Sequence, residues 1–204
     1  MTGAPTAGRR RARDPEATRQ ALLDAAIELF GTEGFDATSV QSIADRAQVT
    51  KGGFYHHFGS KQALLHEIHD RFIDYHLEQL RSLLAEPGLD PVERVRRMVR
   101  DVLVVGAAKW RNDIEIFYQE RRQLEGASYA AVLAKRHEFE GYVVEVLRRG
   151  IDSGALADRG DPKVVAFGII GMTMWAYHWF DPARGGEREL GELYADMVLD
   201  GLRA

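Results

Sequence analysis

Apolar residues recur along this chain at the three- and four-residue spacing of a helix face, and no stretch alternates apolar and polar positions long enough to form a strand. The first such face is Ala21, Leu22, Ala25, Ala26, Leu29 and Phe30, with Gly34 as its stop. Two short segments follow. Thr38 stands where an N-cap would, Gln41 completes a T-x-x-Q capping box, and Val40, Ile43, Ala44 and Ala47 share one face. Thr50 caps the next segment, which turns Phe54 and Phe58 inward and Lys51, Gly52, Tyr55 and His56 outward. Ser60 opens a long helix that buries Leu64, Ile68, Phe72 and Tyr75 and ends near Pro87 and Gly88.

The same spacing continues to the C-terminus. Asp90-Pro91-Val92-Glu93 combines an N-cap, a proline at the first helical position and a capping glutamate, before a helix that buries Val95, Met98, Val99 and Val102. A break between Gly106 and Asn112 leads to a helical stretch from Asp113 to Leu124. Ser128 is placed as the cap of a further long helix, with Val132, Leu133, Val143, Val146, Leu147 and Ile151 inside and Gly154 as its stop. Asp161-Pro162 opens an apolar helix that ends before Pro182, and Glu187 to Leu202 forms the last one, with Leu190, Leu193, Tyr194, Met197 and Val198 on one stripe. The expected fold is all-α, with about nine helices. Residues 1–14 read as a flexible basic arm, 15–61 as a small three-helix domain and 62–204 as a larger helical domain, with the long Ser60 helix running from one into the other.

A buried support helix followed by a short helix with exposed lysine, glycine, tyrosine and histidine is the pattern of a helix-turn-helix, whose second helix enters the DNA major groove. The net charge of −4 runs against that reading, because DNA-binding domains are usually basic. Its distribution answers the objection. Residues 1–61 carry eight Lys and Arg against seven Asp and Glu, whereas 62–204 carry nineteen against twenty-four. The acidic excess lies outside the helix-turn-helix. In the arm, the cluster Arg9, Arg10, Arg11 and Arg13 could reach phosphate or the minor groove.

Cysteine is absent, which excludes disulfides and thiolate metal sites and fits a reducing cytoplasm. No apolar signal segment opens the chain. Val164 to Phe180 contains seventeen residues without Asp, Glu, Lys or Arg, but a spanning helix needs roughly 20 predominantly apolar residues. Glycines, Thr173, Tyr177 and His178 interrupt it, so a helix buried on every side is expected and no membrane partner.

The elements L-F-x-x-x-G-F from Leu29, A-T-S-V-x-x-I-A from Ala37 and G-G-F-Y-H-H-F-x-S-K from Gly52 resemble the TetR family of bacterial one-component repressors. The resemblance covers residues 18–65 and implies a homodimer, with an N-terminal DNA-binding domain and a C-terminal ligand-binding and dimerisation domain. Two further segments, Phe117-Tyr118-Gln119-Glu120 with Arg121-Arg122-Gln123-Leu124, and Trp175 to Pro182, resemble a TetR subgroup that senses acyl-CoA thioesters. Those regulators control fatty-acid, sterol-ring or phenylacetate breakdown. The function implied is a repressor on a palindromic operator, released by a small hydrophobic effector. An acyl-CoA thioester is the first candidate, and a drug-like or steroid-like lipophile without CoA the alternative.

The matched positions imply a DNA-contacting set of Thr50, Lys51, Gly52, Tyr55, His56, His57 and Lys61, to which the helix starts at Thr38 and Ser39 are added. Free N–H groups at a helix start can hold a phosphate. Lys51 can reach a guanine edge, and Tyr55 a phosphate or a thymine methyl. Gly52 and Gly53 let the backbone approach the groove wall. An effector cavity is expected among Phe72, His76, Met98, Trp110, Phe117, Tyr118, Arg121, Arg122, Trp175, Tyr177, His178 and Trp179. For CoA phosphates Arg148, Arg149 and Arg184 are also available. The dimer faces are expected on the apolar and last helices, at Phe167, Gly168, Gly171, Met174, Leu193 and Met197. No cofactor and no metal is expected: His66, His69 and Asp70 share a helix face without the H-E-x-x-H spacing. The rival class is a helical-bundle metal enzyme using Glu115, Glu120, His137, Glu138 and Glu140. It lacks the paired Glu-x-x-His motifs such a site needs and leaves the N-terminal motif unused.

Overall fold

A computed structural model describes residues 14–124 and 126–203, with Arg121 described by its backbone alone. The arginines of the N-terminal arm lie outside the described residues. Among those described there is no strand, and nine helices follow one another. The chain forms two units, divided between Leu64 and Leu65.

The first unit holds helices α1 (Pro15–Glu33), α2 (Val40–Arg46), α3 (Lys51–His57) and the opening turn of α4 (Lys61–Ala85). Its core is built from Leu22, Leu23, Ala26, Phe30, Phe35, Ile43, Ala44, Phe54 and Phe58. Asp14 caps α1 by accepting from the Glu16 N–H, and Gly34 ends it at φ 84°, a backbone that an L side chain resists. The cap of α2 is shifted by one residue from the expected Thr38. Ser39 accepts from the Ser42 N–H while Ser42 Oγ accepts from the Ser39 N–H, forming the reciprocal capping box. Thr38 is buried and donates its hydroxyl to the Gly34 carbonyl at 2.8 Å, and Gln41 bonds to Asp45 rather than to a cap. Thr50 caps α3 through the Gly53 N–H, and Ser60 caps α4 through the Ala63 N–H.

The second unit continues α4 and adds five helices. Helix α5 is composite. It runs as α-helix over Pro91–Arg97, opens into a π-helix over Met98–Val105 and closes again over Gly106–Lys109. The break expected between Gly106 and Asn112 comes at Trp110, and Gly106 itself lies within the helix. Met98, Val99, Val102, Leu103, Val104, Gly106 and Ala107 are all buried, a stripe too broad for one face of a 3.6-residue helix. The wider π turn, with Gly106 donating to the Asp101 carbonyl five residues back, fits that breadth. Then follow α6 (Arg111–Glu120, with a 3₁₀ turn Arg121–Gln123), α7 (Gly126–Asp152), α8 (Pro162–Met174, with a 3₁₀ turn Trp175–His178) and α9 (Glu187–Gly201). Ser128 lies inside α7 rather than at its cap.

Asp90 and Asp161 cap α5 and α8, each with proline at the first position. Arg94 is buried and donates to the Leu83, Glu86 and Leu89 carbonyls, satisfying groups that the end of α4 leaves open. Gly191 of α9 packs on the backbone of α5, where a Cβ would come within 3.0 Å of the Arg100 carbonyl oxygen. Arg96 and Arg100 pair with Glu192 and Asp196 across the same contact. No described helix is long and apolar enough to cross a membrane. The apolar α8 departs from the expected all-round burial: Ala166, Ile169 and Thr173 point inward, while Val164 and Phe167 face outward, 68% and 43% exposed. The last helix divides likewise, with Gly191, Ala195, Val198 and Leu199 inside and Leu193 and Met197 outside.

Candidate functional site

In the first unit the short helix α3 carries the candidate DNA-contacting residues. Phe54 and Phe58 anchor it, their rings 6.0 Å apart, and the Arg19 guanidinium lies 5.0 Å from the centre of the Phe58 ring. With those two turned inward, Lys51, Gly52, Tyr55 and His56 are exposed and His57 half-buried. The two glycines have different reasons. A Cβ at Gly53 would sit 2.6 Å from Val49 Cγ1, so Gly53 serves the packing of the turn, whereas a Cβ at Gly52 would make only an ordinary contact with Thr50 Oγ1 at 3.9 Å. Ser39 and Thr50 are exposed at the starts of α2 and α3.

Two members of the expected set are engaged elsewhere. Thr38 is buried, with its hydroxyl on Gly34. Lys61 donates its ammonium to the Phe35 and Thr38 carbonyls at 2.5 and 2.8 Å and lies 4.1 Å from the centre of the Phe35 ring. That lysine ties the α1–α2 connection to the start of α4.

In the second unit an apolar cleft with about 50 Å³ of enclosed space is lined by Phe72, Ile73 and His76 of α4, Phe117 and Tyr118 of α6, Arg136, Phe139 and Glu140 of α7, and Ile170 and Met174 of α8. Phe117 is the hub: the Phe72 and His69 rings pack edge-on against it at 5.6 and 5.0 Å, and the Arg136 guanidinium lies 5.5 Å from its centre. Phe117 and Arg136 also line a neighbouring cleft with Leu124, Tyr129, Val132 and Leu133. His76 points its Nδ1 at the Phe72 carbonyl, and burial lowers its pKa below the ordinary histidine value.

Four of the expected cavity residues, Phe72, His76, Phe117 and Tyr118, line this cleft, as does Met174, expected at a dimer face. The others lie elsewhere. Met98 is wholly buried in the π segment, and Trp110 packs against Tyr75 with the Arg71 guanidinium 4.9 Å from its ring. Tyr177 stacks on Tyr118 at 5.3 Å with parallel planes, just outside the lining. The 3₁₀ turn after α8 swings Trp175 and Trp179 outward, with His178 also exposed and packed 4.0 Å from the Trp175 ring. Arg122 is exposed, and the side chain of Arg121 lies outside the described part of the structure. Sequence reasoning misses Arg136, and names Glu140 only for the rival metal enzyme and not for the cleft. Their signal is two charged residues on the α7 face that also carries Val132, Phe139 and Val143.

The outward residues of α8 and α9, Phe167, Gly168, Gly171, Leu193 and Met197, leave apolar surface uncovered, beside a shallow groove lined by Gly168, Ile169, Met172, Met197 and Val198. His66, His69 and Asp70 form no metal-holding group, and none is found among the described residues.

Comparison with known proteins agrees with this architecture. Residues 22–68 match the bacterial regulatory proteins of the tetR family, and 88–202 the tetracyclin repressor-like C-terminal domain. The chain is 31% identical over 189 residues to the transcriptional repressor KstR2 of Rhodococcus jostii strain RHA1, covering 90% of each protein. The structure of the ketosteroid transcriptional regulator KstR2 of Mycobacterium tuberculosis is similar at a TM-score of 0.80 and 25% identity, covering 98% of this chain and 100% of that one. The crystal structure of AibR in complex with isovaleryl coenzyme A and operator DNA is similar at a TM-score of 0.76 and 29% identity, covering 89% of this chain and 98% of that one. With both units matched in order and a repressor aligned over most of its length, the chain belongs to the TetR family of bacterial transcriptional regulators.

Proposed function

We propose that this protein is a dimeric repressor that binds a palindromic operator through α3 and is released from it by an acyl-CoA thioester held in the cleft of the second unit. The observation that carries the DNA half is the division of α3 into a buried aromatic face and an exposed face of Lys51, Gly52, Tyr55 and His56. A helix so anchored presents polar side chains and a bare backbone to the major groove. One such helix reads few base pairs, so two copies placed about 34 Å apart on one DNA face supply the specificity. The uncovered apolar residues of α8 and α9 are the surface we assign to dimerisation, since a patch of that kind on a monomer invites association.

The effector half rests on the cleft around Phe117. Its aromatic and aliphatic walls suit an acyl chain, and the half-buried Arg136 suits an anionic group. The relative AibR, crystallised with isovaleryl coenzyme A and operator DNA, supports the thioester class. A ligand shifts a regulator only through unequal affinity for its DNA-competent and DNA-incompetent states. Helix α4 offers the route, because it starts at Lys61 beside the α1–α2 connection and lines the cleft at Phe72, Ile73 and His76. The second reading is a lipophile without CoA. It is favoured by the presence of a single arginine, rather than a cluster, among the described residues lining the cleft.

The test titrates acyl-CoA thioesters, the matching free acids and CoA alone into a preformed protein–operator complex. Thioesters should release DNA, and operator should weaken thioester binding by the same factor. Release by free acids at equal concentration would sink the CoA requirement.

A further inference from the structure

His76 is buried on α4 and lines the apolar cleft, with aromatic neighbours Phe72, Tyr75 and Phe139 edge-on around its ring. Its Nδ1 lies 2.7 Å from the Phe72 carbonyl oxygen. A carbonyl oxygen only accepts, so Nδ1 carries the hydrogen. Burial favours the neutral ring, which leaves Nε2 with a bare lone pair. That atom is buried and has no hydrogen-bond partner. Gly106 on α5 keeps the space beside it open, since a Cβ there would come within 3.0 Å of Nε2. A buried acceptor without a partner is costly to the fold, and an apolar ligand cavity is where such an atom gains a use.

We propose that His76 Nε2 accepts a hydrogen bond from a hydroxyl group on the apolar part of the effector, so that the regulator prefers hydroxylated ligands to their deoxy and oxo counterparts. This inference rests on the cleft being the effector site, as proposed above. The chemistry selects the hydroxyl. A carbonyl brings a second acceptor to the lone pair, and a carboxylate carries no proton near neutral pH. An anionic group is served instead by Arg136, which with Glu140 is half-buried in the same lining. The amide N–H groups of a CoA arm belong to its polar part, whereas His76 lies among aromatic rings. A hydroxyl could sit on the acyl chain of a thioester or on the ring of a CoA-free steroid, and the two sources are separable.

The experiment measures dissociation constants of the full-length protein for a hydroxydecanoyl-CoA, decanoyl-CoA and an oxodecanoyl-CoA, and for a hydroxysteroid and its ketosteroid. Within the series that binds, the hydroxyl compound should bind about tenfold more tightly, the worth of one good buried hydrogen bond. His76→Phe should erase that preference, bringing the ratio of the hydroxyl and deoxy constants to about one whatever it does to their absolute values. Gly106→Ala, which keeps the histidine in the chain and sets a Cβ 3.0 Å from Nε2, should erase it as well, and it keeps the test alive if His76→Phe fails to fold. Equal binding of hydroxyl and deoxy thioesters that do release DNA overturns the His76 assignment and leaves the effector site standing. A preference confined to the steroid pair upholds His76 and removes the thioester. A hydroxyl preference that survives both substitutions, or a panel in which nothing binds, overturns the proposal.

Discussion

The two units place their polar groups on opposite sides of the surface. In the first, Thr38 is the buried polar residue among those described, and Lys51, Tyr55 and His56 stand outside. In the second, His69, His76, Arg94, Asp113 and Thr173 are all buried, and Trp175, Trp179, Leu193 and Met197 are exposed. A unit that reads DNA meets its partner on its outer face, so a small apolar core with no titratable group inside serves it well. A unit that takes up a small molecule needs polar groups within, each costing stability unless it is partnered. The difference predicts that the first unit tolerates change on its surface and fails through its core, whereas the second responds to pH and ligand through its interior.

The largest effect should come from Phe54→Ala. Phe54 is wholly buried and holds α3 together with Phe58, so its loss should cost about 3–5 kcal/mol. Operator binding should vanish in a titration while effector binding, measured by calorimetry, persists. Loss of both would show that the units do not divide the labour as described.

His69 gives the contrasting test. Its ring is buried against Phe117 with neither nitrogen partnered, and burial, with His66 adding to it and Asp70 opposing it, lowers its pKa to about 4. The folded state therefore resists a proton that the unfolded chain accepts near the ordinary histidine value of 6.5. Stability should be full above that value and fall as the pH drops towards 4, by roughly 3 kcal/mol in all. Amide exchange should speed up in α6 and in residues 65–85 on acidification. His69→Phe keeps the aromatic contact and should flatten the dependence; an unchanged slope would assign it to other groups.

How far each unit could be read from the sequence follows the same division. Thr50, Ser60, Asp90 and Asp161 announce helix starts because a cap bonds to residues two or three positions away, within reach of a sequence pattern. The error of one residue at Thr38 and Ser39 arises because both carry a capping hydroxyl, and the choice between them falls to Ser42. The cleft is another matter. Arg136 and Glu140 meet Phe72 and Phe117 from a different helix, and no local spacing reports such a meeting. Trp175 and Trp179 read as cavity walls, but the 3₁₀ turn after α8 rotates them out, and Met98, at the start of the π segment of α5, is wholly buried outside the cleft lining. The apolar stripe of α9 is wider than its contact with α5, so Leu193 and Met197 fall outside it.

Surface changes in the first unit should act on DNA alone. Lys51→Ala and Tyr55→Ala remove exposed side chains, so the thermal midpoint should stay put while operator affinity drops by about 1–3 kcal/mol wherever the side chain reads a base. If both variants bind operator as the parent does, α3 is not the reading helix.

The smallest effect, and the one confined to backbone, concerns Gln48 in the turn between α2 and α3. It holds φ at 56°, the left-handed region where an L side chain crowds the following carbonyl. The turn requires that geometry, because the Gln48 N–H donates to the Asp45 carbonyl and the next N–H, of Val49, folds back to Ala44 at 2.8 Å. Glycine adopts this conformation without the steric cost, although it gives up more freedom on folding. Gln48→Gly should therefore stabilise the first unit by about 0.5–1 kcal/mol, the steric relief exceeding the entropic loss. Gln48→Val, with a β-branched side chain at the same φ, should move stability the other way. Operator affinity at saturating stability should be unchanged in both, since α3 keeps its own cap at Thr50. A denaturant titration of the isolated transition of this unit decides it: if glycine lowers the midpoint, the turn is held by the Gln48 side chain rather than strained by it.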